Sequence, residues 1–149
     1  MKKLYFLSLA IVFTITTGFV DMMSDCVSDG ETFYSLADAL KKPLEVKKLD
    51  ISMAKLTTIS ADISKLTNLE CLDLSFNKFS TLPKELSSLK KLKYLNLAGT
   101  RYMPKVPDVV FEITSLEILD IQDHPEWKKT IFDDAVKKLS KVRVITIEE

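Results

Sequence analysis

The stretch Leu69-Glu70-Cys71-Leu72-Asp73-Leu74-Ser75-Phe76-Asn77-Lys78-Phe79, followed by Leu82-Pro83, Leu86 and Leu89, decides the fold. Leu72 and Leu74 fall on one face of an extended segment, the period of a strand with one buried side. The pattern recurs in phase. Val46, Leu69, Leu92 and Leu116 open matching segments spaced 23, 23 and 24 residues apart. The first copy carries Leu49, Ile51, Leu56, Ile59, Ile63 and Leu66. The third carries Leu95, Leu97, Tyr102, Val106-Pro107, Val110 and Ile113, with one residue inserted. A fourth opens with Leu116, Leu119 and Ile121, and a half-copy closes the chain with Val142, Ile145 and Ile147. One such unit cannot bury its own apolar set, so neighbouring units must stack. Stacked strands lie about 4.8 Å apart in a parallel sheet. The connecting segments hold Pro83, Pro104 and Pro107, which suit irregular or 3₁₀ turns better than long helices.

This spacing resembles the leucine-rich repeat family, whose signature L-x-x-L-x-L-x-x-N/C-x-L recurs roughly every 20–29 residues. The resemblance runs from residue 46 to residue 149, as units 46–68, 69–91, 92–115 and 116–141 and a partial unit 142–149. It implies an α/β leucine-rich-repeat solenoid: a short right-handed horseshoe with a curved parallel β-sheet on the concave face. The family's Asn position, whose side chain turns inward onto backbone groups, is occupied by Ala54, Asn77, Thr100 and His124. Thr100 can supply part of that hydrogen bonding. Ala54 cannot, so its coil needs water or other backbone partners.

Open solenoid ends need caps. Phe33, Leu36, Ala37 and Leu40 recur at helical spacing, with Thr32 before them as N-cap and Pro43 after them. This predicts an N-terminal cap helix over 33–42, within a leader and cap of residues 19–45. Trp127, Ile131, Ala135 and Leu139 share another helical face behind Pro125, predicting a C-terminal helix over 126–139 and a final strand over 142–147. Glu148 and Glu149 place charge beside that last edge.

Lys2 and Lys3 precede an uncharged run from Leu4 to Val20, apolar as far as Phe13 and then diluted by Thr14, Thr16, Thr17 and Gly18. That is the layout of a secretory signal peptide over residues 1–18. Its strongly apolar part is too short to span the ~30 Å of a bilayer core. Thr16 and Gly18 mark a cut near Phe19, and a second lies after Ser24. The expected address is secreted or periplasmic, in a bacterium, with no transmembrane span in the mature chain. Met23-Ser24-Asp25-Cys26 is a poor lipobox, because Asp25 stands where a small residue belongs. Cys26 and Cys71 are left with three states: paired in an oxidising compartment, free, or one lipidated.

The 149 residues include 21 Lys+Arg against 21 Asp+Glu, three Gly, two Cys and one His. Such a length supports one domain with a real core. Zero net charge leaves no cationic surplus for a nucleic-acid partner held by phosphates. The ligand set is too small for a usual zinc site, and three scattered glycines exclude dinucleotide and phosphate loops. No metal and no cofactor are expected. His124, flanked by Asp123 and Glu126, is the sole general-base candidate. It sits in the Asn slot of a turn, with no nucleophile placed near it by motif, so no catalytic residue is assigned and the chain is read as a non-enzyme. Cys71 with Asp73 spells C-x-D, a motif that some secreted bacterial leucine-rich-repeat effectors use in a separate helical domain. Here both residues are variable positions of a repeat strand.

What remains is the concave face. One outward column is Lys48, Cys71, Tyr94, Ile118, Val144. The next is Asp50, Asp73, Asn96, Asp120, Thr146. Met53, Phe76, Gly99 and Asp123 follow at the rim. Tyr94, Ile118 and Val144 would form an apolar anchor with an acidic border. The partner-binding residues expected on this face are Lys48, Asp50, Asp73, Phe76, Tyr94, Asn96, Ile118 and Asp120, on a face ~20 Å across that suits a protein loop, a helix or a small domain. The expected role is a monomeric, non-catalytic protein-binding module. The rival reading is a structural or lipid-anchored component of the cell envelope.

Overall fold

In each coil a three-residue strand is followed by an inward-turning loop, a 3₁₀ turn and a return. The computed structural model describes residue 26 and residues 28–146. The segment read as a signal peptide and the two terminal glutamates lie outside the described residues. Six strands form one parallel sheet in sequence order: β1 (Thr32–Phe33), β2 (Lys48–Asp50), β3 (Cys71–Asp73), β4 (Tyr94–Asn96), β5 (Ile118–Asp120) and β6 (Arg143–Ile145). Successive strands are in register: Leu49 pairs with Leu72, Leu72 with Leu95, and Leu95 with Leu119. These leucines and the row Ile51, Leu74, Leu97 and Ile121 point inward and are buried.

Behind the sheet, Ala61–Lys65, Lys84–Ser88 and Asp108–Glu112 form 3₁₀ turns. Pro83 and Pro107 stand at their N-caps, where no N–H is needed. Each turn closes the same way. Leu66, Leu89 and Ile113 donate their N–H groups to Ile63, Leu86 and Val110, three residues back. The donors and acceptors are themselves buried ladder residues, so turn closure and core burial are one event. The fourth unit substitutes the helix α2 (Lys129–Lys138; the N-terminal helix is α1, Leu36–Ala39) for a 3₁₀ turn. Ala135 and Leu139 take the ladder places of Val110 and Ile113, with Leu139 donating to Ala135 and Val142 to Leu139.

Three boundaries differ from the sequence expectation; the C-terminal helix, expected over 126–139, begins only at Lys129, with Trp127 in the turn before it. The N-terminal helix was expected over 33–42 with Thr32 as its cap. Instead Thr32 and Phe33 pair with Lys48 and Leu49 as an added strand, and Ser35 caps a single turn by accepting from Asp38 N–H at 3.4 Å. The β-ladder partner offered by β2 outweighs the helical spacing of one apolar face. At the far end, Arg143 pairs with Ile118, Val144 with Leu119 and Ile145 with Asp120. Val144 therefore packs inward against the core, and Arg143 takes the outward place. The last copy is one residue shorter. Val142 closes on Leu139, and Arg143 at once donates to Glu117 O at 2.8 Å. A slip of one residue sends every side chain of a strand to the other face.

Candidate functional site

The outward Asx column closes turns. Asp50, Asp73, Asn96 and Asp120 each accept the N–H two residues on, from Ser52 (3.0 Å), Ser75 (2.8 Å), Ala98 (2.9 Å) and Gln122 (3.0 Å). Each is an Asx turn that ends its strand. Asp73 also accepts from Ser75 Oγ at 2.6 Å and from Asn96 Nδ2 at 2.9 Å. Burial holds the Asp73 carboxyl above the usual carboxylate range, and the neighbouring Asp50 charge adds to that, while the Ser75 and Asn96 donors pull the other way.

The next residues adopt left-handed backbone: Met53 (φ 54°), Phe76 (φ 53°), Gly99 (φ 64°) and Asp123 (φ 57°). Their N–H groups continue the interstrand ladder. Met53 donates to Ser75 O, Phe76 to Ala98 O and Gly99 to Gln122 O. The four turns are thus stacked side by side along the rim.

The Asn slot is filled coil by coil with different chemistry. Asn77 Nδ2 donates to Leu74 O (3.0 Å) within its own coil and to Ile51 O (2.8 Å) in the coil before, and its Oδ1 accepts Leu56 N–H (2.9 Å). It therefore supplies the bonds that Ala54 cannot make. Thr100 donates its hydroxyl to Leu97 O at 2.7 Å. His124 Nε2 lies 3.0 Å from the same carbonyl, which only accepts, so this nitrogen carries a hydrogen. The ring stacks on Trp127 at 3.8 Å between centroids and 11° between planes, and Trp127 Nε1 donates to Met103 O at 2.6 Å. His124 is buried and committed to turn closure, with Glu126 3.4 Å from Nδ1. Among the described residues no three His, Cys, Asp or Glu side chains gather as a metal site would require.

Cys26 and Cys71 are joined in a disulfide, Cα to Cα 6.0 Å. The bond fastens the leader to the outward side of β3, where Cys26 packs with Tyr94 and Ile118. Asp29 adds an ion pair to Lys47 at 2.7 Å beside β2, with Gly30 against the same lysine stem. The Asp29 carboxyl is held below its ordinary value by that hydrogen bond and charge.

Of the residues expected to bind a partner, Asp73, Tyr94 and Asn96 are buried, within about 2% of full closure. Lys48, Asp50, Ile118 and Asp120 are half-buried, and Phe76 is exposed. Tyr94 and Ile118 do come together, but with Cys26 and Cys71 and beside Arg143, not Val144. The expected Tyr94–Ile118–Val144 anchor is therefore not present as an open surface. The largest exposed apolar groups near the face lie instead on the loops that leave the strands: Tyr34, Met53, Phe76 and Tyr102. On the same loops stand Lys55, Lys78 and Arg101, which lie outside the strand columns, each following the Asn slot by one residue.

No helix among the described residues is long and apolar enough to cross a membrane. A sequence profile for the leucine-rich repeat region matches residues 20–149. No curated protein matches the sequence. Among solved structures, a leucine-rich-repeat protein of Leptospira interrogans is similar, with 22% identity and a TM-score of 0.52. The match covers 80% of this chain and 35% of that one, so the chain spans about a third of that protein's length. With the in-register strand ladder and the stacked turns, the profile match decides the family: the chain belongs to the leucine-rich repeat proteins, a family of protein-interaction modules.

Proposed function

We propose that this protein is a non-catalytic, monomeric protein-binding module of a bacterium, secreted or periplasmic after loss of residues 1–18. It engages its partner along the lip of the concave sheet. The observation that carries this is the stack of left-handed turns, which presents Met53 and Phe76 to solvent on adjacent hydrogen-bonded coils. Large apolar groups clustered at the border of a sheet face serve as interface anchors. Lys48, Asp50 and Asp120 supply a half-buried polar border, with Ile118 half-buried among them. The Cys26–Cys71 bond supports an oxidising address, since such bonds persist outside the reducing cytosol. It also weakens the lipid-anchored alternative, because a sulfur in a disulfide cannot carry a thioether-linked lipid.

A photo-crosslinking amino acid placed at Met53 or Phe76, and at Lys137 on α2 as control, tests the reading in the native cell. A discrete protein adduct from the two lip positions and none from Lys137 is expected. No adduct, or the same adducts from all three, would overturn it. Intact mass tests the address: a chain beginning near Phe19 is expected, and one beginning at an acylated Cys26 would transfer the protein to the envelope surface.

A further inference from the structure

The loops after β2, β3 and β4 each carry one cation at the same place, five residues beyond the strand. Lys55 follows Asp50, Lys78 follows Asp73 and Arg101 follows Asn96. Backbone bonds stack these loops directly: Met53 N–H to Ser75 O at 3.0 Å, Lys78 N–H to Leu56 O at 2.7 Å, and Phe76 N–H to Ala98 O at 2.8 Å. The cations thus occupy one repeat position on three successive coils, whose backbones span about 10 Å at the usual interstrand spacing. All three are exposed, and none makes an ion pair among the described residues. Among the described residues seven other lysines do pair with acids, while Lys48, Lys84, Lys137 and others do not. Lys41, Lys42, Lys65, Lys105 and Lys138 pair with acids three or four residues away, and Lys47 and Lys93 pair across longer separations. Three like charges at one repeat position repel, and among the described residues no acid forms an ion pair with any of them. Met53, Phe76 and Tyr102 stand exposed on the same three loops.

We infer that this edge docks a short acidic segment of a partner protein that also carries apolar side chains, lying along the stack. This rests on the binding-module reading and names the chemistry of its partner. A span of about 10 Å matches three to four residues of extended chain at about 3.3 Å each. A long polyanion fits less well. Beyond Arg101 the row ends at Pro125, with Asp123 and Glu126 beside it, and the chain has no net positive charge to draw one in.

The test is fluorescence anisotropy at low salt with the folded protein and a labelled decapeptide of alternating Glu and Leu, against one of alternating Lys and Leu. The Glu–Leu peptide is expected to bind. Combined Lys55→Glu, Lys78→Glu and Arg101→Glu should weaken it roughly tenfold or more, the sum of three partly exposed pairs. Lys84→Glu, on the far side of the coil, should leave it unchanged, and Met53→Ala with Phe76→Ala should weaken it with charge intact. Circular dichroism and urea midpoints confirm that each variant is folded. Absence of binding, or binding that survives charge reversal, overturns the inference. So does tighter, reversal-sensitive binding of heparin or of anionic vesicles, which would make the edge a polyanion or membrane surface. Protein crosslinks at Met53 without acidic-peptide binding would sink this inference and leave the module reading standing; loss of both would sink both.

Discussion

Gly99 is the one glycine in the row of left-handed turns, and the reason is not its backbone angle. Met53, Phe76 and Asp123 hold nearly the same φ with side chains attached. What differs at Gly99 is the Phe76 ring: a Cβ there would lie 2.5 Å from Cδ1 and 2.6 Å from Cε1. Carbon contacts settle near 3.5–4.0 Å, so Gly99→Ala must push the ring outward by roughly 1 Å. Phe76 is 38% exposed and has solvent to move into, so the ring yields before the backbone does. The left-handed angle costs an alanine roughly 1–2 kcal/mol. Loss of the ring's packing adds about 1 kcal/mol more, as expected for a half-exposed aromatic. Gly99→Ala should therefore destabilise by about 2–3 kcal/mol in urea unfolding, with an unchanged denaturant slope. In a Phe76→Ala background only the backbone cost remains, giving a coupling near 1 kcal/mol. If Gly99→Ala costs the same with and without the ring, the argument that Phe76 selects glycine is wrong.

Three further outcomes follow from the site. Reducing the Cys26–Cys71 bond, or Cys71→Ser, frees a closed segment of 45 residues' separation and should lower stability by about 4 kcal/mol on the chain-entropy account; an unchanged urea midpoint under reductant would refute it. Asp73, whose carboxyl is raised by burial, holds its proton in the folded state to higher pH than in the unfolded state. Stability should thus fall as pH rises from the ordinary carboxylate value through the raised one, and Asp73→Asn should flatten that slope in urea titrations at several pH values. His124→Ala should cost about 1–2 kcal/mol through the lost Trp127 stack and shift the tryptophan emission, while leaving the Leu97 carbonyl paired with Thr100; a silent spectrum would contradict the stacked geometry.

Much of this fold was legible because the same apolar spacing specifies both the strand and its neighbour. Leu49, Leu72, Leu95 and Leu119 announce their register through spacings of 23, 23 and 24 residues between identical apolar patterns, and the prolines announce the 3₁₀ turns. Where the apolar pattern inside the strand segment changes, the reading fails. The last copy drops one residue, and Val142, Val144 and Ile145 are all apolar, so composition could not choose between two registers that differ by which face is buried. At the other end, Phe33 satisfies a helical period and a strand partner equally well, and only the presence of Lys48 and Leu49 alongside decides between them. The site was less legible still. An outward column can be listed from register alone, but whether Tyr94 meets solvent depends on a disulfide whose partners are 45 residues apart.

That disulfide bears on where recognition can occur. The concave face of a short solenoid is small, and here its middle is occupied by Cys26 packed on Cys71, Tyr94 and Ile118, beside an Asx column already committed to its own turns. A partner reaching Asp73 or Asn96 would have to replace bonds to buried groups, which costs more than an exposed contact returns. The lip carries no such commitment. Its left-handed turns are held by interstrand backbone hydrogen bonds and by the Asx side chains before them, so side chains at Met53 and Phe76 can change without disturbing the ladder beneath them. The stabilising residues and those proposed to recognise a partner are thereby separated by a single step along each loop: the slot residues Asn77, Thr100 and His124 are buried and lock the coil, and their neighbours Lys78, Arg101 and Phe76 are exposed.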